Sequence, residues 1–257
     1  PYATLMLDRN GRLLDARIAE DQQWRFVPVA VLPDKYEQAL LLYEDKRFYR
    51  HPGIDPLAIA RAMRLNLEAG RVVSGGSTLT MQLARLLRDN PPRTLLEKAR
   101  EAILAVQLEW HFSKPDILVE YASRAPFGGN IVGLRAAAWR YFGREPGALS
   151  WAEAALLAVL PNSPSLIHPG RNRERLLAKR NGLLEQLRQR GAMSAADLRL
   201  ALLEPLPSAP RPLPGLAPHL LNTLSKASSR RLLHTPLDAD IQQRVQELAR
   251  QHGRRLA

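Results

Sequence analysis

The chain has 257 residues, enough for one large domain or two small ones around a buried core. Its 46% hydrophobic and 24% charged content is ordinary for a globular protein and excludes general disorder. The absence of cysteine rules out a disulfide framework, a thiolate metal site and a cysteine nucleophile, and a net charge of +12 points to an anionic partner: nucleic acid, a membrane surface or a substrate.

In chain order, Thr4–Leu7, the turn signal Asp8-Arg9-Asn10-Gly11 and Leu13-Leu14 read as a hairpin, with another short strand within Trp24 to Leu32. Asp34 is the expected N-cap of a long helical region reaching about residue 190. Within it Leu95, Ala99, Ile103, Val106 and Trp110 recur at helical spacing. An Ala/Leu-rich helix near 151–160 is expected to be central. A basic helix at about 172–190 follows, with Leu176, Leu177, Leu183, Leu184 and Leu187 on its apolar side. Six prolines between Glu204 and Pro218 read as a linker, and a short helix is expected at Asp238–His252. The boundaries are therefore 1–33, an N-terminal extended segment; 34–203, the main domain; and 204–257, linker and tail. The tail third is the most basic, with 16 basic and 7 acidic residues in 171–257. Its arginines lack interleaved aromatics, which argues against nucleic acid. No stretch has the length and apolarity of a membrane-spanning helix.

Three segments carry candidate chemistry. Leu41-Leu42-Tyr43-Glu44-Asp45 places Glu44 beside an apolar helix surface, where desolvation raises a carboxyl pKa and makes a usable base. A solvated acid pair at a helix end fits the same residues. Gly70 to Arg85 is a Gly-rich loop running into a helix that Ser77 or Thr78 could cap, with free amides favouring an anion. Gly76 stands where a nucleotide P-loop needs Lys, which excludes that motif. On a helix Lys98 and Glu101 share a face, as either a cation-and-phosphate site or a solvated ion-pair face. The histidines show no metal spacing, and there is no Ser-x-x-Lys for a penicillin-type serine.

Taken in order, these segments resemble glycosyltransferase family 51, the peptidoglycan polymerase module of class A penicillin-binding proteins. The resemblance is carried by Glu44, Asp45, Phe48, His51 and Gly53; by Gly75 to Gln82; by Lys98 and Glu101; by Lys114 to Tyr121 with Phe127-Gly128 and Tyr141-Phe142-Gly143; and by Ala154 to Pro164. Met81, Arg85 and Arg124 to Gly129 resemble the 1C subgroup, and Thr235 to Gln242 resembles the start of that family's transpeptidase domain. The resemblance implies a mainly α, lysozyme-like fold with a large head lobe and a smaller membrane-facing lobe. It also implies a fragment cut after a membrane anchor, working at the periplasmic face of the cytoplasmic membrane.

The implied substrate is lipid II with a growing glycan chain. Glu44 and Glu101 would be catalytic, with Asp45, Phe48, His51, Gly76, Ser77, Thr78, Gln82, Arg85, Lys98 and Lys114 binding substrate. A divalent cation (Mg2+ or Mn2+) would sit at Glu101. Moenomycin-type inhibitors and other cell-wall synthesis proteins are implied as further partners. Two departures stand out: Glu97 replaces an Arg common in the family, for which Arg93 or Arg100 would substitute, and Ala122-Ser123 replaces Leu-Asn. A lysozyme-like glycan hydrolase and a weakly active scaffolding module are the competing readings.

Overall fold

The computed structural model describes residues 1–71, 75–92, 94–161 and 172–256. Its elements are β1 (Thr4–Leu7), β2 (Leu13–Arg17), β3 (Trp24–Arg25), α1 (Asp34–Glu44), α2 (Pro56–Ala69), α3 (Leu79–Leu87), α4 (Leu95–His111) and α5 (Lys114–Arg124). β4 (Ile131–Val132), α6 (Leu134–Phe142), α7 (Trp151–Val159), α8 (Arg173–Gln189), α9 (Ala195–Leu203), α10 (Pro218–Ala227), β5 (Leu232–His234) and α11 (Ala239–Leu256) complete it. The molecule is mainly α, as expected.

Helix α7 is the centre. Seven of its nine residues, Ala152 and Ala154 to Val159, are buried, and α1, α8 and α9 pack around it. Ser150 and Glu153 cap its start reciprocally, so an almost wholly apolar helix still begins at a defined residue. Helix α3 packs on α4 and α5 and forms the other half of the body. Arg180 of α8 is buried and donates to the carbonyls of Leu202 and Glu204, capping the end of α9.

The two chain flanks pack on each other. β1 pairs antiparallel with β2 and parallel with β5, giving the order β2-β1-β5. Met6, Leu14, Ala217, Leu221, Leu233 and Ala239 close a second, smaller core. β3 pairs with β4, and only Trp24 and Arg25 of the expected third strand are extended in pairing.

Several expectations are corrected. The N-cap of α1 is Pro33, and Asp34 is the first helical residue; the Pro33 φ of −65° and ψ of 136° already turn the chain into the helix. Leu177 is exposed while the other four leucines of α8 are buried, because it lies off their stripe. The C-terminal helix is 18 residues long rather than short, its first turn anchored by Asp8 accepting from the Ala239 amide. On α4 the apolar stripe faces outward: Leu95, Ile103 and Trp110 are 88%, 63% and 84% exposed, while Glu101 and Ala105 are buried.

One close approach fixes the layout around the site. Gly53 has φ +93°, and a Cβ there would lie 2.7 Å from the backbone of Ala105 in α4. Gly53→Ala is therefore expected to lower stability by about 2–4 kcal/mol, read from urea unfolding, since both the dihedral and the contact forbid a side chain. A loss under about 0.5 kcal/mol would contradict this packing.

Candidate active site

Tyr36, Leu40 and Glu44 follow one another at four-residue steps and lie on the buried face of α1. That spacing, overlooked in the sequence, carries Glu44 inward instead of to a solvated helix end. Its Oε2 accepts a hydrogen bond of 2.9 Å from Nε2 of Gln82. Its Oε1 is buried and has no hydrogen-bond partner among the described residues. Burial pushes the Glu44 pKa up to about 7, reinforced by the Asp45 charge and opposed by the Gln82 hydrogen bond and by Lys179 of α8. Tyr36, Tyr43 and Tyr121 stand around the same carboxyl, and their own pKa values are raised chiefly by burial. A carboxyl with one free oxygen and a pKa near neutrality is equipped to accept a proton.

Asp45 does a different job. It is buried and accepts from the Leu79 amide at 3.0 Å and from His51 Nε2 at 3.0 and 3.1 Å. Thr78 is the N-cap of α3, accepting from the Met81 amide while its hydroxyl donates to the Gly53 carbonyl at 2.6 Å. Lys114 donates to the His51 carbonyl (2.7 Å) and to Glu109 (2.8 Å), and lies 4.2 Å from the Phe48 ring centroid. At Gly76 a Cβ would meet the Ile59 backbone of α2 at 2.8 Å. Asp45, Phe48, His51, Gly76, Thr78 and Lys114 thus form a frame that clamps the segment after α1 to the starts of α3 and α5. Ser77, half-buried, precedes the cap. The anion expected at this helix start is the chain's own Asp45, so the Leu79 and Met81 amides are already engaged.

From Gln82 the site continues along α3. Arg85, three residues on, shares its face. Arg85 Nε lies 4.0 Å from Oε1 of the buried Glu101, and its Nη2 donates to the Pro91 carbonyl at 2.9 Å. Lys98 is exposed one turn before Glu101 on α4. Gln82 of α3 thus meets Glu44, and Arg85 on the same helix meets Glu101 of α4, with Lys98 exposed one turn before it.

Glu97 is held by Arg88 and Arg100 at 2.5 Å each, and Arg88 foremost keeps its carboxyl below the usual range. Arg100, expected to replace a missing phosphate contact, is instead turned to Glu97; Arg93 lies outside the described residues. So do residues 72–74 of the Gly-rich loop and residues 162–164 of the fifth motif. Ser123 is buried and donates to the Glu120 carbonyl within its own helix.

Volume does not mark this site. A crevice of about 960 Å³ opens elsewhere, between Arg12, Trp139, Arg144, Asp240, Gln246 and Arg250, and Glu44, Gln82, Arg85, Lys98 and Glu101 do not line it. Among the described residues no group of three His, Asp or Glu side chains could cage a metal.

The Transglycosylase family matches residues 10–188. Penicillin-binding protein 1C of Escherichia coli (strain K12) is 46% identical over 99% of this chain and 33% of its own length. Penicillin-binding protein 1A of Aquifex aeolicus (strain VF5) is 38% identical over 80% of this chain and 28% of its own. A crystal structure of Penicillin-Binding Protein 1A from Haemophilus influenzae covers 89% of this chain and 24% of its own, at 20% identity and a TM-score of 0.44. The chain spans about a third of the length of the curated relatives named here. With a family match over residues 10–188 and, across nearly its whole length, 46% identity to a penicillin-binding protein, the chain belongs to the Transglycosylase family, the family-51 glycosyltransferases.

Proposed function

We propose that this chain is a peptidoglycan glycosyltransferase that polymerises lipid II into β-1,4 glycan strands. The observation that carries this reading is the Glu44 carboxyl: one oxygen held by Gln82, the other unpartnered, and a pKa near 7. Oε1 takes the proton of the acceptor's 4-hydroxyl as that oxygen attacks the donor's anomeric carbon. The bond from that carbon to the lipid pyrophosphate breaks, the electron pair leaving with the phosphate oxygen, and the centre inverts from α to β. Water-exposed Lys98 and half-buried Arg85 supply cations for the departing charge, and Arg85 can grip two phosphate oxygens at once. Glu101, beside Arg85, orients that guanidinium.

A divalent cation fits only in part. Glu101 is a single buried carboxylate rather than a cage, so Mg2+ or Mn2+ would be held by Glu101 together with pyrophosphate oxygens and water. Such an ion would neutralise charge on the leaving group. A glycan hydrolase would have no diphosphate for Arg85 and Lys98 to meet, so the polymerase reading is favoured.

Helix α2 supports a membrane-surface partner. Leu57, Met63 and Leu67 are 60%, 61% and 81% exposed, and Arg61 and Arg64 are exposed beside them. Apolar side chains entering the acyl boundary with arginines reaching phosphates is the expected posture of an interfacial helix. No helix among the described residues is long and apolar enough to cross a membrane. We place the chain's work at the periplasmic face of the cytoplasmic membrane, where a lipid-linked substrate is presented.

Incubated with labelled lipid II and Mg2+, the wild-type chain should form polymer, Glu44→Gln none, and Glu101→Gln a polymer formed more slowly and without response to added Mg2+. Polymer from Glu44→Gln at wild-type rate would remove the base. In flotation with anionic liposomes the chain should rise with the vesicles, and Leu57→Glu combined with Leu67→Glu should leave it at the bottom. Equal flotation of that variant would move the membrane contact off α2.

A further inference from the structure

We propose that Tyr121 is a positioning residue for Glu44, acting through the side-chain amide of Gln82. An amide has two unlike ends, and which end meets a carboxyl decides which protonation state it supports. The Tyr121 hydroxyl donates to Gln82 Oε1 at 3.3 Å, and Gln82 Nε2 donates to Glu44 Oε2 at 2.9 Å. A phenol has only one proton to give. With it given to Oε1, the amide is pinned N–H first toward Glu44, which supports the ionised base and leaves Oε1 of Glu44 without a partner among the described residues.

The surroundings make this anchor matter. Tyr121 is 2% exposed, so no bulk water stands ready to replace its hydroxyl. The Tyr36 hydroxyl is buried close by but makes no hydrogen bond among the described residues, so it offers the amide no second hold. The charged and titratable groups facing Glu44 are Tyr36, Tyr43 and Asp45 on its own side, Tyr121 on α5 and Lys179 on α8. Of these only Lys179 favours the ionised form, and it is partly exposed; Gln82 is the hydrogen-bond donor to the carboxylate. Without Tyr121 the amide is free to turn its oxygen toward Glu44. That arrangement is satisfied only when Glu44 carries the proton, and a protonated base cannot take another.

This role rests on Glu44 being the base proposed above, and the test separates the two. The pH dependence of lipid II polymerisation is measured for wild type, Tyr121→Phe, Gln82→Met and the double variant, with thermal unfolding as a check on folding. The acid limb should move upward by about one pH unit in Tyr121→Phe, the size expected for weakening one hydrogen bond to a charged group. The rate well above that limb should stay close to wild type. Gln82→Met should shift the limb in the same direction, and Tyr121→Phe should add nothing in that background. A rate lowered equally at every pH, an unmoved limb, or shifts that add in the double variant would each overturn the relay. If Tyr121→Phe does not fold, Gln82→Met still decides, because an unmoved limb there breaks the link from Gln82 to Glu44. Polymer from Glu44→Gln would instead strike the base itself, independently of these shifts.

Discussion

The site depends on one bifurcated acceptor, the Asp45 carboxylate, which receives the Leu79 amide and the His51 imidazole together. That contact joins the end of α1 to the beginning of α3. With it made, the neighbouring Glu44 meets Gln82, one turn into α3. Two adjacent acids thus take opposite parts. Asp45 has its lone pairs spent on donors within the chain, while Glu44 keeps one oxygen without any. Burial without satisfaction is costly for structure and valuable for proton transfer.

Helix α3 then sets the distance between Gln82 and Arg85, the two residues to which the proposed function assigns the base's partner and the leaving-group cation. Gln82 touches the base, and Arg85 touches Glu101. Three residues of helix advance about 4.5 Å along the axis, so Gln82 and Arg85 stand close to one turn apart on the same face. The ends of α3 are fixed by Thr78 and Asp45 at its start and by Arg85 on the Pro91 carbonyl at its finish. A helix held at both ends keeps Gln82 and Arg85 in fixed register, as the proposed proton transfer and charge stabilisation require.

Local and tertiary signals differed in how far they could be read. The hairpin at Thr4–Arg17 and the buried α7 follow from periodicity and turn chemistry, and the same chemistry narrows the cap of α3 to Ser77 or Thr78, of which the structure uses Thr78. The outward face of α4 does not follow, because apolar spacing identifies a stripe without saying whether protein covers it. The frame residues Asp45, His51, Thr78 and Lys114 stand in the motifs, but the bonds Asp45–Leu79, Thr78–Gly53 and Lys114–His51 join segments 25 to 63 residues apart in sequence. Tyr121 and Lys179 likewise reach Glu44 only through the packing of α5 and α8. Glu97 looked like a lost cation; its pairing with Arg88 and Arg100 shows a local charge inversion absorbed on the spot.

The central claim is that the fold makes Glu44 a base poised near neutrality. It is tested most directly by following the Glu44 carboxyl with carbon-13 NMR across pH, using Glu44→Gln to assign the signal. The account requires a midpoint of about 7. A midpoint in the ordinary glutamate range, about 4.3, would show a solvated carboxyl and contradict it.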